Sequence, residues 1–183
     1  DADAHACVTL PALCRFLQVA ADGHARTAGA SMDALKTAGR MWVLAELSLT
    51  VRSFLAIDEQ LTVETWGSSR MAGARAYRDF LLFNDAGECI GSACTLWLYL
   101  DAATRRPMRL PEGIMAFRVS DREPILPETF QPLNAAEPAT GQIALRVGWQ
   151  DLDQNDHANN VRYLEWGLQP VPDEVWRAYR PCA

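Results

Sequence analysis

GWQDLDQNDHANNVRYLEWG, residues 148–167, joins an extended pattern to a helical one across a polar turn. Upstream, Ile143 to Trp149 is an apolar strand candidate. Downstream, Val161, Leu164, Trp166 and Leu168 form one side of a helix that begins near Asn159 and is closed by Pro170 and Pro172. Between them stand Asp151, Asp153, Asn155, Asp156 and His157. Carboxylates and an imidazole at a strand-to-helix junction place a candidate base beside backbone N–H groups that a helix start leaves without intrahelical partners. Such N–H groups can receive charge developing on a carbonyl oxygen. The same letters also have a purely structural reading: Asp151 and Asp153 as turn formers, Asn159 as a cap, His157 as a partner for buried backbone. Spacing alone leaves both readings open.

Working back toward the amino terminus, Thr9 to about Ala28 is the longest helical candidate. Leu10, Leu13, Cys14, Leu17, Ala20, Ala21 and His24 recur at intervals of three and four, with Thr9 as N-cap, Pro11 in the first turn and Gly29 at the end. His24 reads as a packed or hydrogen-bonded residue rather than a catalyst. From Met41 the period becomes extended: Met41–Val51, Gln60–Trp66, Ala74–Phe83 and Cys89–Leu100 are four strand candidates, and Asn84-Asp85-Ala86-Gly87 is a hairpin signal between the last two. Trp42, Trp66 and Trp97 read as sheet or core residues. A long helix followed by successive antiparallel strands is an α+β plan, a sheet wrapped around a helix, and not the βαβ plan of nucleotide-binding folds. The proline-punctuated span Asp101–Thr140 reads as a covering segment and linker, with Gly113–Val119 as a short strand; Asp173–Tyr179 adds a last helical turn or two.

Composition narrows the function classes. The chain has 183 residues, 49% of them apolar, and a net charge of -6, which suits a globular core and argues against non-specific nucleic-acid binding. No stretch is long and apolar enough to predict membrane insertion, and no secretion signal stands at the start. Five cysteines, Cys7, Cys14, Cys89, Cys94 and Cys182, lack a metal-ligand spacing and predict reduced thiols in a cytoplasmic setting.

There is a faint internal repeat. Asp1 to Ala6 and Asp153 to Ala158 both follow D-x-[D/N]-x-H-A, and each precedes a helix. A true duplication predicts a first strand upstream of Asp1 and the remaining sheet of the second unit downstream of Ala183. It also makes Asp1, Asp3 and His5 a second constellation, better read as a degenerate copy than as a second site.

As an ordered set, DLDQNDHANNVRYLEW (151–166), LPALCRFLQVAADGHA (10–25), WVLAELSLTV (42–51) and YRDFLLFNDAGECIGSACTLWLYLDAATRRPMRLP (77–111) resemble the acyl-acyl-carrier-protein thioesterases. That resemblance implies a double hotdog, each unit a long helix wrapped by an antiparallel sheet: residues 1–112 as the first domain, 113–140 as linker and cover, and 141–183 as the start of a second. It implies hydrolysis of fatty acyl–carrier-protein thioesters to free fatty acid, with the catalytic aspartate, asparagine and histidine falling on Asp153, Asn155 and His157. A further acidic residue is expected on a later strand beyond Ala183, for which Cys182 is a poor substitute. Asp153 is expected to activate water or attack directly, Asn155 to hold water or substrate, His157 to act as base or relay, and Ala158, Asn159 and Asn160 to contact the oxyanion or substrate. Arg105, Arg106 and Arg109 are candidate contacts for acyl carrier protein, with a solvated charged face as the alternative. No metal or other cofactor is implied, and a homodimer is compatible with the fold. An acyl-CoA thioesterase and a non-catalytic acyl- or carrier-binding module are the competing functions.

Overall fold

The computed structural model describes residues 2–3, 6–119, 121–126, 130, 143–153 and 156–178. Helix α1, Leu10–Thr27, starts where the Thr9 side chain accepts the Ala12 N–H at 3.3 Å, with Pro11 tolerated in the first turn because its missing donor has no intrahelical role there. It ends at Gly29, whose φ of +63° lets the Ala30 N–H turn back onto the Ala25 carbonyl at 2.9 Å. The short α2, Met32–Thr37, leads into β1, Arg40–Val51. Strands β2, Thr62–Gly67, β3, Arg75–Phe83, and β4, Cys89–Asp101, complete an antiparallel sheet of order β1-β4-β3-β2. The four strand expectations agree with these spans to within two residues at each end. At the β3–β4 hairpin the Asn84 side chain accepts the Glu88 N–H at 2.8 Å and Gly87 supplies a φ of +77°.

One face of this sheet carries α1. Leu13, Leu17 and Ala21 of the helix pack on Phe80 and Leu82 of β3 and on Ile90 and Ala93 of β4, with Leu55 closing the cluster from the β1–β2 connection. A bulge between Leu44 and Glu46 interrupts the alternation of β1, so that Leu44 (opposite Trp97) and Leu47 (opposite Thr95) both reach the helix side. The opposite face carries Tyr77, Cys94 and Leu96, covered by Leu126 and Phe130. Gly91 of β4 faces the β1 backbone with no room for a side chain: a Cβ there would stand 2.7 Å from the Thr50 carbonyl oxygen. Gly91→Ala is therefore expected to cost about 1–3 kcal/mol, seen as a lower urea midpoint at unchanged slope.

Three expectations need correction. Gly113–Val119 is not a strand: α3, Glu112–Met115, occupies its first part, and its end meets the sheet in an isolated bridge of Arg118 to Gly67, with the Val119 N–H on the Gly67 carbonyl 2.9 Å away. Ile143–Trp149 makes no ladder among the described residues; Ile143, Leu145, Val147 and Trp149 are exposed, because an alternating pattern forms a strand only where another strand offers its backbone. Nor are all thiols reduced: Cys7, almost fully buried, is disulfide-bonded, while Cys14, Cys89 and Cys94 are free. After a 3₁₀ turn at Trp149–Asp151, α4, Asn160–Leu168, packs against α1, and α5, Asp173–Ala178, follows. No described helix is long and apolar enough to cross a membrane.

Candidate active site

The polar turn before α4 closes on itself. The Asp153 N–H donates to the His157 carbonyl at 2.7 Å, and the Asp153 Oδ1 accepts the His157 N–H at 3.2 Å. Asp156 takes the sharp bend with a φ of +58°, a conformation that aspartate tolerates better than most residues. The carboxylate of Asp153 is thus fixed against the backbone of His157, and the imidazole stands exposed at the tip. Asn155 lies outside the described residues.

Of the three positions expected to contact the oxyanion or substrate, Asn159 is already engaged. Its N–H donates to the Asp151 carbonyl at 2.8 Å and its side chain caps α4 by accepting the Val161 N–H at 2.9 Å. The Ala158 and Asn160 amides remain as the donors at the helix start. Asn159→Ala is expected to cost about 1 kcal/mol through loss of the cap, while Asn159→Ser or Asn159→Asp retains most of the stability; thermal unfolding distinguishes the two outcomes.

Asp151 is a scaffold residue. It is buried, accepts the Gly148 N–H at 2.8 Å and pairs with Arg162 Nε at 3.3 Å. Arg162 also bonds Glu165, and Glu165 accepts from Arg15 of α1 at 2.9 Å. This chain of charges fastens the turn to both helices. The Arg162–Glu165 step was readable as a helical i,i+3 pair, whereas the Asp151 and Arg15 contacts carry no local signal.

The internal repeat is present in three dimensions, in a register shifted by two from the one the letters suggest. The Asp3 N–H donates to the Cys7 carbonyl at 2.8 Å, Asp3 Oδ1 accepts the Cys7 N–H at 3.0 Å, and Ala6 bends at a φ of +59°. Each bond has its copy in the second turn, so Asp3 matches Asp153, Ala6 matches Asp156 and Cys7 matches His157. Ala2 bridges Val8 as Leu152 bridges Ala158, and Thr9 caps α1 as Asn159 caps α4. Arg15 and Glu165, 150 positions apart, are themselves equivalent and touch, as equivalent residues do beside a twofold axis. Asp1 and His5 lie outside the described residues. The first turn holds a disulfide-bonded cysteine where the second holds a histidine, so it has no acid–base group at that position.

A crevice runs between the helices and the sheet from Asn160, Val161 and Leu164 of α4, past Cys14, Leu17 and Ala21 of α1, to Phe80, Thr95, Trp97, Leu44 and Leu47. Its free volume is about 30 Å³, room for water, so an acyl chain has to displace side chains to enter. Neither Cys14, which lines it, nor Cys94, on the opposite face of the sheet, is a good nucleophile. Burial pushes Cys14 up to about 11, and burial together with the neighbouring Asp79 carboxylate pushes Cys94 up to about 12. Arg105, Arg106 and Arg109 are all exposed on the turn after β4. Asp101 braces that turn by accepting the Thr104 N–H at 2.9 Å, bonds that hold its carboxyl below the usual carboxylate range.

The amino-terminal part of the chain, residues 1–117, matches the family model for the acyl-ACP thioesterase N-terminal domain, and residues 136–183 match the C-terminal domain of the same family. The chain belongs to the acyl-ACP thioesterases. Its fold is accordingly a double hotdog, with α1 and its sheet as the first unit and the Asp153 turn and α4 within the second. A chloroplastic palmitoyl-acyl carrier protein thioesterase of Gossypium hirsutum is 30% identical across 96% of this chain, and a dodecanoyl-[acyl-carrier-protein] hydrolase of Cinnamomum camphora 31% identical across 93%. The chain spans 45% and 48% of these two proteins, under half of each. A crystal structure of an acyl-ACP thioesterase from Bacteroides thetaiotaomicron superposes with a TM-score of 0.82 at 25% identity, covering 96% of this chain and 70% of that one.

Proposed function

We propose that the full-length protein hydrolyses fatty acyl–acyl-carrier-protein thioesters, releasing free fatty acid and the carrier thiol, with Asp153 and His157 as its acid–base pair and Asn155 as the residue that holds water or substrate. The observation that carries this reading is the asymmetry of the repeat. The same closed turn precedes both helices, and of the two the second places a histidine at the position whose N–H the aspartate accepts, just ahead of Asn160, Val161 and Leu164, which line the apolar crevice. In the reaction, water oxygen attacks the thioester carbonyl carbon and its proton passes to Asp153 or His157. The oxyanion is received by the Ala158 and Asn160 amides, and collapse expels the thiolate, which takes the proton back. The Arg105, Arg106 and Arg109 turn serves as the docking point for the acidic carrier protein, supported by its exposure and its braced backbone. Domain limits at 1–112, 113–140 and 141–183 and a cytoplasmic setting belong to the same proposal.

The test is hydrolysis by the full-length protein of one acyl group presented on two carriers. A clear preference for palmitoyl-carrier protein over palmitoyl-CoA supports the reading. Equal or reversed preference moves it to an acyl-CoA thioesterase, and binding without turnover moves it to a carrier- or acyl-binding module.

A further inference from the structure

Arg78 points into the helix–sheet interface of the first unit, on the same face of β3 as Phe80 and opposite Thr95 of the crevice. Its Nη1 is fixed twice by neutral acceptors, His24 Nδ1 at 2.8 Å and Thr65 Oγ1 at 3.2 Å. His24 is in turn held edge-on by Phe117, 5.3 Å between ring centroids, and its pKa is lowered by burial and then by the Arg78 charge, so the imidazole accepts as a neutral ring. Burial presses Arg78 itself down to about 10, which still leaves it a cation at neutral pH. Among the described residues no carboxylate lies within ion-pair distance of it, and its sequence neighbour Asp79 points to the other face of the sheet. Nε and Nη2 have no protein partner there, and neither is sealed from solvent. The result is an oriented, partly desolvated guanidinium with one edge anchored and the other unoccupied by protein, on a residue flanked in the sheet by Phe80 and Thr95, which line the apolar crevice. An unpaired cation in that setting is costly until an anion joins it, and a planar carboxylate fits two of its donors at once.

We propose that Arg78, positioned by His24 and Thr65, is a subsite for the carboxylate of an aliphatic ligand whose chain lies in the crevice beside Phe80 and Thr95. The thioesterase reading enters only in naming two sources of that group: the carboxylate of the released fatty acid, or a carboxylate at the far end of an acyl chain still on its carrier.

Binding to the full-length protein is measured by calorimetry with dodecanoate and with dodecan-1-ol. Arg78→Gln is expected to weaken dodecanoate about tenfold or more, the scale of a charged hydrogen-bond pair, and to leave dodecan-1-ol within about twofold. An equal loss for both ligands, or none for dodecanoate, overturns the proposal. Should Arg78→Gln not fold, two further measurements decide the matter. Thr65→Val keeps the charge but frees one anchor, and is expected to weaken dodecanoate selectively. In the unmodified protein the Arg78 Nε–H resonance is expected to shift with dodecanoate and not with dodecan-1-ol; a shift common to both ligands, or to neither, overturns the assignment. Hydrolysis of dodecanoyl- and 12-carboxydodecanoyl-carrier thioesters separates the sources. An Arg78→Gln loss confined to the carboxylated substrate identifies the chain end, and a loss confined to dodecanoate binding identifies the product. If neither thioester is turned over, the proposed hydrolase function fails while the binding measurements still decide the subsite.

Discussion

Asp153→Asn in the full-length protein is expected to lower kcat for a carrier-linked acyl thioester by about 100- to 10,000-fold, the range of a lost general base, with little change in thermal midpoint. The separation of the two effects follows from geometry. Asparagine keeps a carbonyl oxygen where Asp153 Oδ1 now accepts the His157 N–H, so the turn stays closed while the negative charge and the proton-accepting capacity are gone. Asp153→Ala removes both, and should add a loss of stability to the loss of rate. Asp151→Asn is the matched control. It leaves the reacting positions alone but weakens the ion pair with Arg162, so its effect falls on unfolding rather than on chemistry. Steady-state kinetics beside a melting curve for the three variants reads both axes. Hydrolysis retained in Asp153→Asn would remove Asp153 from the mechanism and leave His157 as the base.

Much of the fold was legible because its signals are local. Thr9, Pro11 and Gly29 mark α1 by what each does to a helix end, and the Asn84–Gly87 turn fixes the β3–β4 register within a few residues. The readings that failed depended on distant partners. Ile143–Trp149 has the alternation of a strand, yet alternation describes a face and does not supply the neighbour that would pair with it. The disulfide at Cys7 is a choice of partner that a cysteine count does not encode. The repeat was visible in the letters but misregistered, because matching histidine to histidine ignored what builds the turn. An aspartate closes onto the N–H four residues ahead, and that requirement aligns Asp3 with Asp153 and puts a cysteine at the place of His157. Within the candidate site, spacing gathered Asp153 and His157 into one turn, and the family resemblance singled them out. The engagement of Asn159, the clamp of Arg162 on Asp151 and the anchoring of Arg78 by His24 were not legible, since each joins elements separated by loops or by the whole sheet.

Phe80→Ala should be the most destabilising single change in the first unit, at about 3–5 kcal/mol, a large share of the roughly 5–15 kcal/mol that holds a domain folded. Phe80 is 1% exposed and sits where the α1 residues Leu13, Leu17 and Ala21 meet β3 and β4. Truncation removes the ring's burial and leaves a void between two rigid layers, because α1 is fixed at both ends by Thr9 and Gly29 and cannot settle onto the sheet. Val19, on the same helix but 71% exposed, is the internal control: Val19→Ala should move the urea midpoint hardly at all. Because Phe80 also lines the crevice, the same variant probes more than stability. At a temperature where Phe80→Ala remains folded, the enlarged crevice should accept an aliphatic ligand such as dodecan-1-ol more readily than the unmodified protein, whose free space there is about 30 Å³. Lower stability combined with tighter alcohol binding would place the acyl chain between α1 and β3. Lower stability with unchanged binding would put it elsewhere, toward the wider groove of about 400 Å³ lined by Val8, Phe16, Ile57 and Val63.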